Sequence, residues 1–398
     1  MMNGDIPDIG GEAWMRTDAG LILANGVEIP ASCGVSRVAT RPIDKRSPGF
    51  DEEFDATTLF YDVFVDAQGS LCMVGPPFWN LMEEVKSATF IVDGIPYEGT
   101  PQITLFDRCN ICRLPGAFGN AHTLRMRIFG TDLQAPIGPA YTALFRGRRV
   151  VMTMSKDNDL VWVRDWAAFY AAKHRADAFL IFDNGSRGYS VDHLLQTVLG
   201  AAPNALVVVV PWPYKYGPQG GEANVWDSDF CQISAYNMAR FRLLPQARAL
   251  LNIDIDELIV DESGAFRSIF EATEAAESGY IRIKGRWIEP FSESWTGNGL
   301  PRHADFRHFH SESVASATKW CLVPHKCPDD ALWRIHTVGK MSDADTSTFL
   351  FRHFQAINTL WYRRRYRGRI HEPGKLVLDT RLAEALATPE KSTSTESA

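Results

Sequence analysis

The hydrophobic and polar positions of this chain follow one rule up to about residue 147 and another beyond it. From about 55 to 147 the apolar positions come in short runs broken by turn residues. Leu59–Val65 ends in Asp66-Ala67-Gln68-Gly69 and is followed by Ser70–Val74, which predicts strand, turn and strand. Thr89–Val92 ends in Asp93-Gly94, a hairpin signal, and Thr123–Phe129 alternates as a half-buried strand does. Residues 1–50 are rich in Gly, Pro and Asp, with short possible strands such as Leu21-Ile22-Leu23. Together these predict a mostly antiparallel β domain over 1–147.

Past 148 the alternation disappears. Arg149–Met154, Ala178–Phe182, Leu206–Val210 and Ala249–Ile253 are apolar runs of strand length. Between them lie helical stretches: Leu160–His174, with Trp162, Trp166, Phe169 and Tyr170 at helical spacing, then about 190–199, then Phe230–Leu244. Non-alternating strands separated by helices predict βαβ units and a parallel sheet covered on both faces. Right-handed crossovers then give a Rossmann-like α/β layer, assigned to 148–386, whose ligands sit beyond the C-terminal ends of the strands. The polar tail 387–398 is expected to be disordered.

Composition narrows the classes. A chain of 398 residues suffices for two cores, and a net charge of −7 argues against bulk nucleic-acid binding. The first residues, MMNGDIPDIGGEAW, lack a basic and apolar leader, and the longest apolar run, Ala205–Trp212, is too short to span a bilayer. Seven scattered cysteines suit reduced thiols, so a cytoplasmic location is expected. Cys109-Asn110-Ile111-Cys112 is a lone CxxC without the further ligands zinc needs, and packing of small thiols is the expectation there.

The run Asn252-Ile253-Asp254-Ile255-Asp256-Glu257 carries the most chemistry. Acids are rare at the end of a buried strand unless something positive pairs with them. An alternating Asp-x-Asp points both carboxylates the same way, and two hard oxygen ligands suit Mg²⁺ or Mn²⁺, which in turn can hold a diphosphate. Upstream, Asp183-Asn184-Gly185-Ser186 and Lys156-Asp157-Asn158-Asp159 are polar strand ends where a carboxylate can accept hydrogen bonds from a ribose or a base.

From about 150 to 262 these pieces resemble, in order, the nucleotide-sugar half of a GT-A glycosyltransferase of the family-92 and family-2-like type. The elements are LIFDNGS at 180–186, PWP at 211–213, Gln232, Ala235-Tyr236-Asn237 and IDIDELI at 253–259. The whole resemblance spans roughly 150–370. It departs from the pattern at Asp157-Asn158-Asp159, where an Asn-Glu is usual, and it leaves 1–147 uncovered. It implies a GT-A nucleotide-diphospho-sugar transferase fold and transfer of a hexosyl group from a nucleotide sugar, a UDP-sugar by preference. Asp254 and Asp256 would hold Mn²⁺ or Mg²⁺ against the donor's phosphates. His336 would add a third contact, Lys319 would meet a phosphate, and Asp157, Asp183 and Asn184 would contact the nucleoside. The acceptor would be a glycan or a lipid-linked glycan, as in surface polysaccharide synthesis.

Transfer with inversion needs a carboxylate base near the acceptor hydroxyl, and Glu289 is the candidate, with Glu293 and Asp305 beside it in an aromatic-rich segment that includes Trp287, Phe291 and Trp295. The basic run Arg363–Arg369 offers a phosphate clamp or contact with the anionic inner face of a membrane, with Phe351-Arg352-His353-Phe354 upstream of it. Two other readings compete: an aspartyl-nucleophile phosphatase using Asp254, against which Leu258 stands where Thr or Val is usual, and an inactive carbohydrate-binding protein. The oligomeric state is not legible.

Overall fold

The computed structural model describes residues 13–15, 19–219, 227–265, 267–293, 295, 299–313, 315–344, 348–359 and 373–387. The basic run Arg363–Arg369 and the tail from 388 onward lie outside them.

The centre is a ten-stranded mixed sheet. Its strands in chain order are β1 (Ala13–Met15), β2 (Ala19–Ile22), β3 (Arg149–Ser155), β4 (Ala178–Asp183), β5 (Leu206–Pro211), β6 (Ala249–Asn252), β7 (Glu257–Asp261), β8 (Tyr280–Ile288), β9 (Ser316–Leu322) and β10 (Phe349–Phe354). Across the sheet they run β1-β2-β5-β4-β3-β6-β9-β8-β10-β7. The neighbours β2, β5, β4, β3 and β6 are all parallel. The order β5-β4-β3-β6 is that of a Rossmann half, and the order of travel across the sheet reverses between β3 and β6, the switch point at whose C-terminal ends such sheets take their ligands. The α/β, Rossmann-like expectation holds.

The missing alternation has a direct cause. Val150, Met152, Leu180, Phe182, Val208 and Val210 pack into one core on one face of the sheet. Val151, Phe179, Ile181, Val207 and Val209 pack into a second on the other. Both faces are covered, so most positions along these strands are apolar. Helices α1 (Leu160–His174) and α2 (Val191–Ala201) join the second core, as do α4 (Ile269–Ala275) and α5 (Thr380–Leu386). Helix α3 (Phe230–Arg242) lies in the first core with every residue buried. Two of its polar side chains find partners across the core: Asn237 Nδ2 donates to the Trp333 carbonyl at 3.0 Å, and Arg242 Nη1 donates to Asp62 at 2.8 Å. Among the described residues no helix is long and apolar enough to cross a membrane.

Two four-stranded antiparallel sheets form from the segment before 147. They face each other through Val63, Leu71, Met73, Phe90, Leu124 and Met126. The outer face of the first sheet, with Phe64, Cys72, Val74 and Ile111, packs into the same core as α3. Strand β2 comes from this N-terminal segment too, yet pairs with β5 in the central sheet.

Candidate functional site

Strand β6 ends at Asn252, earlier than the acidic run requires for a continuing strand. Ile253–Asp256 reverses the chain, with the Glu257 N–H donating to the Asp254 carbonyl at 3.1 Å, and β7 then leaves in another direction. The two aspartates therefore do not share one strand face, as an alternating strand would have arranged, and they meet different partners. Asp254 Oδ2 lies 2.5 Å from the Lys319 ammonium. Asp256 Oδ2 lies 3.0 Å from His353 Nε2.

Glu257 sits between them. Its strand β7 pairs antiparallel with β10, which sets Glu257 opposite His353, and β10 pairs with β8, which sets His353 beside Trp287. Glu257 Oε1 is 3.4 Å from His353 Nδ1, and Oε2 is 3.4 Å from Lys319 and accepts the Asp254 N–H at 3.1 Å. The Trp287 ring stacks on His353 with centroids 4.1 Å apart and an angle of 25°. One ligand atom each from Asp256, Glu257 and His353 lies within 4.8 Å of the others.

Asp256, Glu257 and His353 could hold a cation, and burial sets the charge of the groups around them. Burial pushes the Glu257 carboxyl up to about 8, against the pull of Lys319. Burial alone would lower Lys319, but Asp254 and Glu257 outweigh it and raise the ammonium above its ordinary value. Asp254 and Glu257 thus share Lys319, while Asp256 faces His353. Two carboxylates with one imidazole fit Mn²⁺ better than Mg²⁺, which favours oxygen and retained water.

His336 is not part of this group. It is exposed, with Nδ1 2.8 Å from the Thr318 carbonyl, one residue before Lys319. The sequence assigned Glu257 no role and set His353 only beside a basic run. Its register against Glu257 depends on a pairing across 96 positions, the separation of the two strands being a matter of tertiary structure, and no local pattern shows it. Arg352, read as a candidate phosphate clamp, is wholly buried and committed to Asp379 at 2.8 and 3.0 Å and to Glu262.

The two upstream strand ends are joined to each other. Ser155, Asp183 and Pro211 are level across β3, β4 and β5. The Ser186 hydroxyl donates to Asp183 Oδ1 at 2.5 Å and accepts the Asp157 N–H at 2.9 Å. Asp183 Oδ2 takes the Ser186 N–H at 3.2 Å, so both its oxygens shape the loop. Asn184 Nδ2 donates to the carbonyls of Trp212 and Tyr214 at 2.8 and 2.9 Å. Asp157, exposed and left-handed at φ 51°, accepts from the amides of Arg187 and Gly188 through Oδ1 alone. Those amides, the Arg187 one foremost, hold its carboxyl below the usual range.

Glu289 follows directly on β8 and is buried, accepting from Gln355 Nε2 at 3.1 Å. It is two residues past Trp287, on the strand that neighbours His353. Trp295 packs on Phe306 and Phe291 on His308, and Asp305 accepts the Arg302 N–H at 2.7 Å. Cys109 and Cys112 are buried in separate cores with thiols pushed up to about 12 by burial, as packing predicts.

No family model matches this chain, and no curated protein matches it. Among solved structures it is similar to the galactosyltransferase LgtC in complex with donor and acceptor sugar analogs, at 16% identity and TM-score 0.25, over 44% of this chain and 58% of that one. An active-site mutant of LgtC aligns at 15% identity, TM-score 0.25 and the same coverage. The bifunctional glycosyltransferase WbbM, in its apo structure, aligns at 11% identity and TM-score 0.23, over 40% of this chain and 27% of that one. The aligned part thus spans little more than half the length of LgtC.

Proposed function

We propose that this chain is a metal-dependent glycosyltransferase that moves a hexosyl group from a nucleotide sugar, a UDP-sugar by preference, to a glycan or lipid-linked acceptor. The observation that carries the reading is the grouping of Asp256, Glu257 and His353 at the turn that follows β6, a strand at the point where the sheet order reverses. A divalent cation bound there supplies Lewis-acid stabilisation of the negative charge on the departing nucleoside diphosphate.

The chain's own groups divide the remaining work. Asp256, Glu257 and His353 would hold the ion. Lys319, kept cationic by Asp254 and Glu257, sets a fixed positive charge next to the diphosphate position. Asp157 keeps Oδ2 for a nucleoside hydroxyl or ring N–H, while Asp183 and Asn184 hold the loop that presents it. Trp287 offers an apolar ring beside the cation site for a sugar, and Glu289 is the proposed base for the acceptor hydroxyl. Polysaccharide synthesis at the inner membrane face, with contact through Arg363–Arg369, completes the proposal.

Isothermal titration with UDP and with GDP, in Mn²⁺ and without it, tests this directly. Metal-dependent binding of UDP is expected, and Asp256→Asn should abolish the metal-dependent part. Failure of both nucleotides to bind in Mn²⁺ would rule the reading out.

A further inference from the structure

The turn that carries Asp254 and Asp256 is held from outside by a segment that the proposed chemistry does not use. His303 is 1% exposed, and its Nε2–H donates to the Ile255 carbonyl at 2.9 Å, midway between the two aspartates. The next carbonyl, that of Asp256, accepts the Phe354 N–H at 2.9 Å. The His303 ring meets the Phe354 ring edge-on with centroids 5.0 Å apart. Two consecutive carbonyls of the turn are therefore fixed by two side-by-side residues, one of which directly follows His353.

His303 is itself anchored to α1. The Trp162 indole N–H donates to the Pro301 carbonyl at 2.7 Å. Arg302 makes two bonds of 2.7 Å to Asp165, and its own N–H is taken by Asp305. A bidentate guanidinium–carboxylate pair fixes orientation as well as distance. The segment thus ties the acidic turn to the helix that follows the Asp157 loop.

We infer that His303 is a positioning residue for the candidate cation site: through the Ile255 carbonyl it sets where Asp256 and Glu257 stand relative to His353. This rests on the metal-dependent reading above. Groups that orient a metal's ligands commonly change affinity by roughly 10- to 100-fold when removed, without touching the ion.

The test uses the full chain and Mn²⁺ alone as probe. Mn²⁺ affinity is measured by titration calorimetry for the wild type, His303→Leu, His303→Gln and Arg302→Met. Amide hydrogen exchange of the peptide covering 253–257 is followed in each. His303→Leu should weaken Mn²⁺ about tenfold and speed exchange in that peptide while α3 stays protected. His303→Gln, which keeps a donor, should restore most of both. Arg302→Met, on the surface, should shift both in the same direction by less, and it decides the matter if His303→Leu does not fold. Wild-type Mn²⁺ affinity together with unchanged exchange at 253–257 in His303→Leu, or in Arg302→Met where only that variant folds, overturns the inference. A wild-type chain that binds no Mn²⁺ overturns the metal reading instead, and the exchange data then still decide whether His303 holds the turn.

Discussion

At the scale of single residues, Lys319 and Glu257 decide the character of the site. Both are buried, and each is tolerable only because of the other and of Asp254. Removing one partner of a buried pair strands the rest, at a cost of about 3–5 kcal/mol. Lys319→Met is therefore expected to lose about 3 kcal/mol of stability in chemical denaturation. Adding Glu257→Gln should recover part of that loss, so the double-mutant cycle should show strong coupling. Additive losses would mean that the pair does not act as one unit. The acidic run itself was legible in the sequence, because acids beside a buried strand need a positive partner. Which acid would meet which partner was not legible. Asp254, expected on the metal, is the one against Lys319, and Glu257, to which the sequence assigned no role, stands with Asp256 beside His353.

Among the elements, α1 shows how a helix outside the site keeps the acidic strand in place. Tyr170 donates its hydroxyl to the Glu257 carbonyl at 3.0 Å and accepts the Ile259 N–H at 3.1 Å. His174, at the end of α1, lies with Nε2 2.9 Å from the Ile259 carbonyl, and its Nδ1 accepts the Ile269 N–H at 3.2 Å. A carbonyl on one nitrogen and an N–H on the other require the neutral ring with its proton on Nε2. Burial lowers the His174 value from 6.5 to about 4. The unfolded chain therefore takes up a proton that the folded chain refuses between these two values. The stability contributed by neutral His174 is present above about 6.5 and lost as pH falls toward about 4, by up to ~3 kcal/mol. Urea denaturation at pH 7 and pH 4.5 should show a larger acid loss in the wild type than in His174→Gln. The helix was legible from its spacing of Trp162, Trp166, Phe169 and Tyr170, whereas its docking onto β7 was not, since the contacting residues are 85 or more positions apart.

Across the whole molecule, the shared core matters more than the change of pattern near residue 148. Phe64, Cys72, Val74 and Ile111 pack with Trp212, Phe230 and Tyr236, and the Asp62–Arg242 pair is buried at 2.8 Å in that contact. A fragment beginning at 148 would expose this face and would also lose β2 from the edge of β5. It is expected to bind a hydrophobic dye and to lack a cooperative melt. In the full chain, Arg242→Met should cost about 3–5 kcal/mol, because Asp62 is left buried without its cationic partner. Calorimetry that finds the two parts melting separately in the wild type would contradict this. Asp107 adds a smaller link on the surface, holding Arg334 at 3.1 and 2.7 Å near the His336 turn.

Local physics sufficed for the strands and helices of the parallel core. Each is a run whose period and composition are settled within about ten residues, and a sheet buried on both faces leaves a distinct apolar signature. The Rossmann-like layer and the place of Asp157 and Asp183 at polar strand ends followed from that. Tertiary structure alone decided which groups meet the acidic turn. His353, Lys319, Trp287 and His303 reach the acidic turn from separate strands and loops, and strand register, which sets those meetings, depends on pairing partners far away in the chain.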